Sequence, residues 1–373
     1  MTAFDRDRLL VTGAAGFIGA ALTGALVRRG CEVHAAVHPR TDARRLAELG
    51  DAVHVHRVDL ADAAALGPLL GRIDPTVVFH AAVRHGHPAA AEEAAARRDT
   101  VESTEVLLAA LGTGAWLKRL VHLGSSLEYG PYDRPIRESD PERPTTLRGR
   151  TKLAATQAVR RWSSAHGAPA VVLRPFSVYG PGEAGGRLVP DLLACLLAGR
   201  PFPTTAGTFR RDLVHVDDVV EGCLLAATHP GTPGTTLNLG TGREWTTEEV
   251  VAVAEEVTGR TATLLRGAFP ARPPDTGWPT RPASRRSSAG ARRSPSPRVW
   301  PEPSPGGRLS RREPPRNRRR APPRQERRRG HHRRAAVRAR AVALLVRGTR
   351  PPGRQPPPAL PAAAADRGRR VRH

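Results

Sequence analysis

The chain has 373 residues and a formal net charge of +24, but that charge is unevenly placed. Residues 1–275 carry 31 Lys and Arg against 31 Asp and Glu, whereas residues 276–373 carry 28 arginines against 4 acids, so the excess belongs to a tail. Cys31, Cys195 and Cys223 stand far apart and in no Cys-x-x-Cys pair. That excludes a disulfide framework and a zinc site, and suits small buried side chains in a reducing compartment. No charged-then-apolar leader precedes Leu9, and no apolar run approaches membrane-spanning length, so a soluble, cytoplasmic protein is expected.

The first predicted element is a short apolar strand, Leu9 to Thr12, that runs into Gly13-Ala14-Ala15-Gly16-Phe17-Ile18-Gly19 and then a helical segment, Ala20 to Arg28. A dinucleotide site needs this order. Gly13 permits a tight turn, Gly16 lets the backbone approach a pyrophosphate, and Gly19 lets the helix pack close to the strand. The helix N-terminus, with Phe17 and Ile18 in its first turn, then points free N–H groups at the phosphates. A ligand-free strand–helix turn is the plainer alternative.

Cys31 to Val37 reads as a second strand. About 20 residues after the glycines, an acidic residue usually holds the ribose hydroxyl of NAD. Here His38-Pro39-Arg40 stands in that place, with Arg44 and Arg45 one turn further on, a basic pattern that favours NADP(H) within an NAD(P) assignment. Asp42 keeps the NAD alternative open, and a solvated basic helix start is the plainer reading. Val53 to Val58 reads as a third strand, followed by Asp59 and Leu60. Asp59 can accept from an adenine amino group or cap the helix predicted over Ala61 to Leu70. A fourth strand, Thr76 to Ala82, ends in His80, Ala81 and Ala82. The small residues leave room for a ribose, while His80 has the character of a packed histidine. A helix over Ala89 to Leu111 leads to a fifth strand, Arg119 to Gly124. This alternation predicts an α/β protein with a Rossmann-type doubly wound parallel sheet.

The glycine turn, Asp59-Leu60, His80-Ala-Ala82, Gly124-Ser-Ser-Leu-Glu-Tyr-Gly130, Arg174-Pro-Phe-Ser-Val-Tyr-Gly-Pro181, Asp212-Leu-Val-His-Val-Asp-Asp218 and Asn238-Leu-Gly-Thr-Gly242 follow one another in a familiar order. In that order the chain resembles the extended short-chain dehydrogenases, and most closely the NAD(P)-dependent epimerase/dehydratase family that acts on nucleotide-sugars. The resemblance covers residues 9 to about 278, with a substrate lobe mainly in 175–211 and 240–278. It also admits a homodimer.

The resemblance implies a catalytic Ser or Thr after the fifth strand, paired with a Tyr-x-x-x-Lys on the next helix. Ser125 falls on the first position and Lys152, one of only two lysines, on the last. Four residues before Lys152, at the expected Tyr position, stands Arg148. An arginine has no accessible neutral form and cannot act as a proton donor at ordinary pH. Related 4,6-dehydratases carry an Asp-Glu pair directly after the Thr; here Ser126, a substrate-contact candidate, and Leu127 take those places, with Glu128 one place late. The resemblance therefore points to 4-keto reduction or 4-epimerisation, with a mild lean to reduction. The alternative is a non-catalytic NAD(P)-binding protein or sensor.

In the remainder, Pro175 lies in the segment that the resemblance sets beside the nicotinamide, and Leu188 to Leu197 reads as a helix over the sugar pocket. Arg211 and Arg272 match positions that hold the substrate diphosphate, or are surface ion pairs. From residue 279 the chain is an Arg/Pro-rich tail in which disorder is expected. A shifted reading frame of a GC-rich gene yields such composition. The functional alternative is an arm that binds nucleic acid nonspecifically through counterion release.

Overall fold

The computed structural model describes residues 4–83, 90–205 and 210–269. Arg272 and the tail lie outside the described residues, and with them the expectations attached to both.

Strand β1 (Leu9–Thr12) is buried along its whole length and turns into helix α1 (Phe17–Arg28). Strand β2 (Val33–Val37), the short helix α2 (Arg44–Ala47), β3 (Val53–Arg57), α3 (Ala63–Ile73) and β4 (Val77–His80) continue the alternation. The helix expected over Ala89 to Leu111 is instead two, α4 (Ala90–Arg97) and α5 (Ser103–Ala110), separated by a π-turn over Arg98–Glu102. Then follow β5 (Arg119–Leu123), the long α6 (Leu147–His166) and β6 (Ala170–Pro175). Asp62, not Asp59, caps α3, its carboxylate accepting from the Ala64 and Ala65 amides. The helix therefore starts two residues later than expected.

Beyond β6 come β7 (Ser177–Tyr179), α7 (Leu188–Ala198), β8 (Phe202–Thr205), β9 (Arg210–His215), α8 (Val216–Thr228), β10 (Thr236–Leu239), β11 (Glu244–Thr246), α9 (Thr247–Thr258) and β12 (Leu264–Phe269). Seven strands form one parallel sheet in the order β3-β2-β1-β4-β5-β6-β10. The order reverses between β1 and β4, and ligands of open α/β sheets bind outside the strand ends at such a reversal.

Strands β1, β2, β4, β5 and β6 are buried nearly throughout and show little alternation, whereas the edge strand β3, Val-His-Val-His-Arg, is largely exposed. One face packs Leu22, Ala25 and Leu26 of α1 with Val219, Val220 and Cys223 of α8. The other packs Leu66 and Leu70 of α3, Leu107 of α5, and Val159 and Trp162 of α6. Cys31 and Cys223 are buried as expected, and Cys195 is half-buried. A separate small core joins Leu192, Leu193 and Leu196 of α7 to Phe202, Val251 and Ala254. With the three-stranded sheet β11-β9-β7 and the pair β12-β8, it builds the lobe beside the sheet. Among the described residues, no helix is long and apolar enough to cross a membrane and no His, Cys, Asp or Glu group could hold a metal ion.

Two histidines lie inside the central sheet. His80 exchanges hydrogen bonds with Thr12 Oγ1 (2.7 Å) and Thr104 Oγ1 (2.9 Å), and burial pushes its pKa down to about 3. His122, whose ring centroid is 5.2 Å from that of His80, is lowered well below its ordinary value by burial and then by the charges of neighbouring groups. Unfolded, both bind a proton near pH 6.5; folded, they do not, so they withdraw stability as pH falls from about 6.5. His122→Phe should therefore lose less stability than the parent between pH 7 and 5 in urea unfolding. Parallel losses would show that His122 protonates freely in the folded state.

Candidate active site

The glycine turn closes against the end of β4. A Cβ on Gly13, whose φ is +65°, would lie 2.7 Å from the Ala82 backbone, and one on Gly19 would lie 2.2 Å from the Gly13 carbonyl oxygen. Both positions are closed to any side chain by the fold itself. Gly16 differs: a Cβ there would meet only the Gly13 oxygen, at 3.1 Å. Its outward side is open. Gly16 also stands at the N-cap of α1 without a side-chain oxygen to satisfy the first N–H groups. Phe17 and Ile18 follow half-buried in that first turn. Such a cradle fits a dinucleotide pyrophosphate.

Around the cradle the other candidates separate. Ala81 and Ala82 lie against Gly13, whereas the His80 ring is 1% exposed and committed to Thr12 and Thr104. That ring offers nothing to a ligand. Asp59 accepts from the Ala61 amide at 3.0 Å and from Arg98 at 2.6 Å, and Leu60 beside it is buried. Arg40 is exposed, and Arg44 pairs with Asp42 at 3.1 Å. Arg45 is the one of these three arginines that reaches the turn, donating to the Ala15 carbonyl (3.3 Å) and to that of Gly182 (2.7 Å) across the cleft.

Ser125 follows β5 and begins a single 3₁₀ turn over Ser126–Glu128. Its hydroxyl accepts from the Leu127 amide at 3.2 Å, while Glu128 Oε1 accepts from the Ser125 amide at 2.8 Å. This is a capping box, with both reciprocal bonds made. Glu128 is itself fully buried. It also accepts from Thr156 Oγ1 (3.0 Å) on α6 and from the Arg174 guanidinium (2.7 Å) on β6, which in turn bonds Glu142 and lies 4.4 Å over the Tyr129 ring. Burial raises the Glu128 carboxyl despite Arg174, and Arg174 is held charged by its acidic partners. The sequence contains the signal for this turn, Ser-x-x-Glu, though not its partners. Pro175, next along β6, is buried.

Helix α6 sits directly on the Ser125 turn. A Cβ on Gly149 would lie 2.5 Å from the Leu127 carbonyl oxygen, so only glycine permits this approach. Lys152, one turn into the helix, is 6% exposed and donates from Nζ to the Leu123 carbonyl at 2.7 Å, two residues before Ser125. Burial lowers its pKa to about 8; Glu128 opposes the shift and Arg148 adds to it. Lys152 Nζ is thus fixed at the end of β5, on the strand that leads into Ser125. Arg148, four residues before Lys152, shares its face of α6. It is half-buried, and burial followed by the charge of Arg187 lowers its pKa.

From the lobe come Arg187 at the N-cap of α7, Arg211 on β9 and Glu183 after β7. Arg187 and Arg211 both act on Glu183, but burial outweighs them and raises its carboxyl to about 7. Glu183 and Arg187 carried no sequence signal, lying in a Gly-rich loop. Asp212, beside Arg211, fixes the Thr241–Gly242 turn through bonds of 2.7–2.8 Å to both backbone amides.

The model of the NAD dependent epimerase/dehydratase family matches residues 9–240. The chain is 34% identical over 282 residues to a dTDP-6-deoxy-L-talose 4-dehydrogenase (NAD(P)(+)) of Kitasatospora kifunensis, covering 73% of this chain and 86% of that protein. It is 32% identical to a UDP-glucose 4-epimerase of Azospirillum brasilense, covering 68% and 78%. Among solved structures it resembles MoeE5 in complex with UDP-glucose and NAD (33% identity, TM-score 0.62, covering 69% and 84%). It also resembles the UDP-glucose 4-epimerase of Thermus thermophilus in complex with NAD (27%, TM-score 0.64, covering 72% and 88%).

Removing Glu128 would leave the buried Arg174 guanidinium with Glu142 as its one remaining acidic partner among the described residues. Breaking such a pair costs about 3–5 kcal/mol, against about 0–1 for an exposed one. Glu128→Ala should therefore lower unfolding stability several-fold more than Glu221→Ala, which breaks only the surface pair with Arg29. Equal losses in urea titrations would deny the buried pair its structural role.

Proposed function

The chain belongs to the NAD dependent epimerase/dehydratase family, and from that premise we propose that it binds NAD(P)(H) and acts at C4 of a nucleotide-linked sugar. The observation that carries this reading is the buried Lys152 ammonium held on the Leu123 carbonyl at the end of β5, two residues before Ser125, in a sheet whose reversal point carries the glycine cradle. When bound, the nicotinamide would supply or accept a hydride at the sugar carbon. Ser125 would donate its hydroxyl hydrogen to the sugar oxygen as negative charge develops there. Lys152 would hold the nicotinamide ribose and add positive charge beside that oxygen.

Elimination of water has little support. The positions after Ser125 are Ser126 and Leu127, and Glu128 is consumed by Arg174, Thr156 and the Ser125 amide. That leaves 4-keto reduction or 4-epimerisation. Arg148 stands where a phenol would shuttle the proton, and an arginine starts so high in pKa that it stays charged. Loss of a positioned acid costs about 10²–10⁴ in rate. The chemistry is therefore slow in this chain, and a non-catalytic NAD(P)-binding role is the second reading that Arg148 favours.

Gly16→Val should abolish NADH and NADPH binding in calorimetry while leaving the fold intact, since the open side of Gly16 is where the cofactor would lie. Equal binding by parent and variant would refute the cradle. NADPH should bind more tightly than NADH, and Arg45→Ala together with Arg40→Ala should erase the difference. Arg148→Tyr should speed hydride transfer by about 10²-fold or more in stopped-flow absorbance. No acceleration, with cofactor and sugar both bound, would transfer the assignment to the non-catalytic reading.

A further inference from the structure

One side chain crosses the mouth of the cleft. Arg45, the second residue of the short helix α2, donates to the Ala15 carbonyl at 3.3 Å and to the Gly182 carbonyl at 2.7 Å. Ala15 belongs to the glycine turn and precedes Gly16, whose outward side is open. Gly182 belongs to the loop after β7, on the lobe side. That loop is a tight turn, closed by the Glu183 amide donating to the Gly180 carbonyl at 3.1 Å. Its two glycines are held differently. Gly180 packs on the start of α8, where a Cβ would lie 2.7 Å from Val216 and 3.0 Å from His215. A Cβ on Gly182, whose φ is +84°, would meet nothing within 4 Å. The outer end of the turn thus stands clear of the packed lobe, and Arg45 ties it to the sheet.

Resting on the reading above, a dinucleotide lies on the open side of Gly16, in the space that Arg45 spans. We propose that Arg45 is a clasp on the cofactor cleft, and that the dinucleotide enters and leaves while the Arg45–Gly182 bond is open. Two properties suit the side chain to this role. A guanidinium is a planar fork whose separate N–H groups can hold two carbonyls at once, and its charge strengthens both bonds. Arg45 is also exposed, so water competes for the carbonyls and the side chain re-orients quickly. A bond that opens fast but is mostly closed scales entry and exit alike by its open fraction. Arg45 is in this respect a positioning residue, since it sets the place of the Gly180–Glu183 turn over the cradle.

The test is stopped-flow fluorescence of NADH on the full chain, with release followed by a chase of excess NAD. NADH is the probe because it lacks the 2′-phosphate that Arg45 would also meet. In Arg45→Ala, association and release should both become about tenfold faster, the scale of one hydrogen bond from a charged group. Arg45→Lys keeps the charge but lacks the fork, so its rates should follow Arg45→Ala. Unchanged rates in Arg45→Ala overturn the clasp. Faster release without faster association does so too, because Arg45 would then be an ordinary contact of the bound cofactor. Parental rates in Arg45→Lys would assign the effect to charge and not to the span. In each of these outcomes NADH still binds, so the cofactor reading stands without the clasp. If the parent binds neither NADH nor NADPH in calorimetry, both fall together.

Discussion

The candidate site depends on one buried ion pair, Glu128 with Arg174. Both side chains are fully shielded from water, and each is tied to further elements: Arg174 to β6 and Glu142, Glu128 to the Ser125 amide and to Thr156 on α6. A buried charge pair is a weak source of net stability, because desolvation offsets most of the attraction. Its value here is geometric. Glu128 has two carboxylate oxygens, and their bonds fix the backbone of Ser125, the face of α6 that carries Lys152, and the strand that leads to Pro175. Three segments far apart in sequence thereby share one reference point.

The cofactor side rests on a different constraint, the approach of backbone to backbone. Gly13 and Gly19 are demanded by the fold itself, one by Ala82 and the other by the Gly13 carbonyl. Gly16 is demanded by neither. A Cβ there would press on the Gly13 carbonyl oxygen at 3.1 Å, a milder conflict than at Gly13 or Gly19, and its other side is open. The same logic separates the basic residues after β2: Arg44 is satisfied by Asp42, while Arg45 spans from the glycine turn to Gly182 on the lobe side. One side chain thus ties together two walls of the cleft.

Much of this was legible from local pattern. The glycine spacing, the apolar strand ends and the Lys152 segment each depend on residues a few positions apart, where periodicity and turn chemistry speak directly. What escaped depends on distant partners or on backbone geometry without a compositional mark. The helix over 89–111 reads as continuous because a π-turn costs one hydrogen-bond register and no change in residue type. Asp59 and Asp62 are equal candidates to cap α3 until the path of the chain is known, and Arg98 then claims the first. Glu128 reads as an acid one place late for dehydration, because Arg174 lies 46 residues away. In the folded chain its carboxylate is structural.

Arg148 draws these threads together. Had the site decayed as a whole, the capping box, the Gly149 contact and the buried Lys152 would have no reason to persist together, since each is sterically or electrostatically demanding. They are all present, Lys152 one helical turn from Arg148. Replacing a phenol by a guanidinium exchanges a group that can give and take a proton for one that holds a fixed charge. The fixed charge has consequences of its own. It helps depress Lys152, and its own pKa is lowered by burial and then by the charge of Arg187.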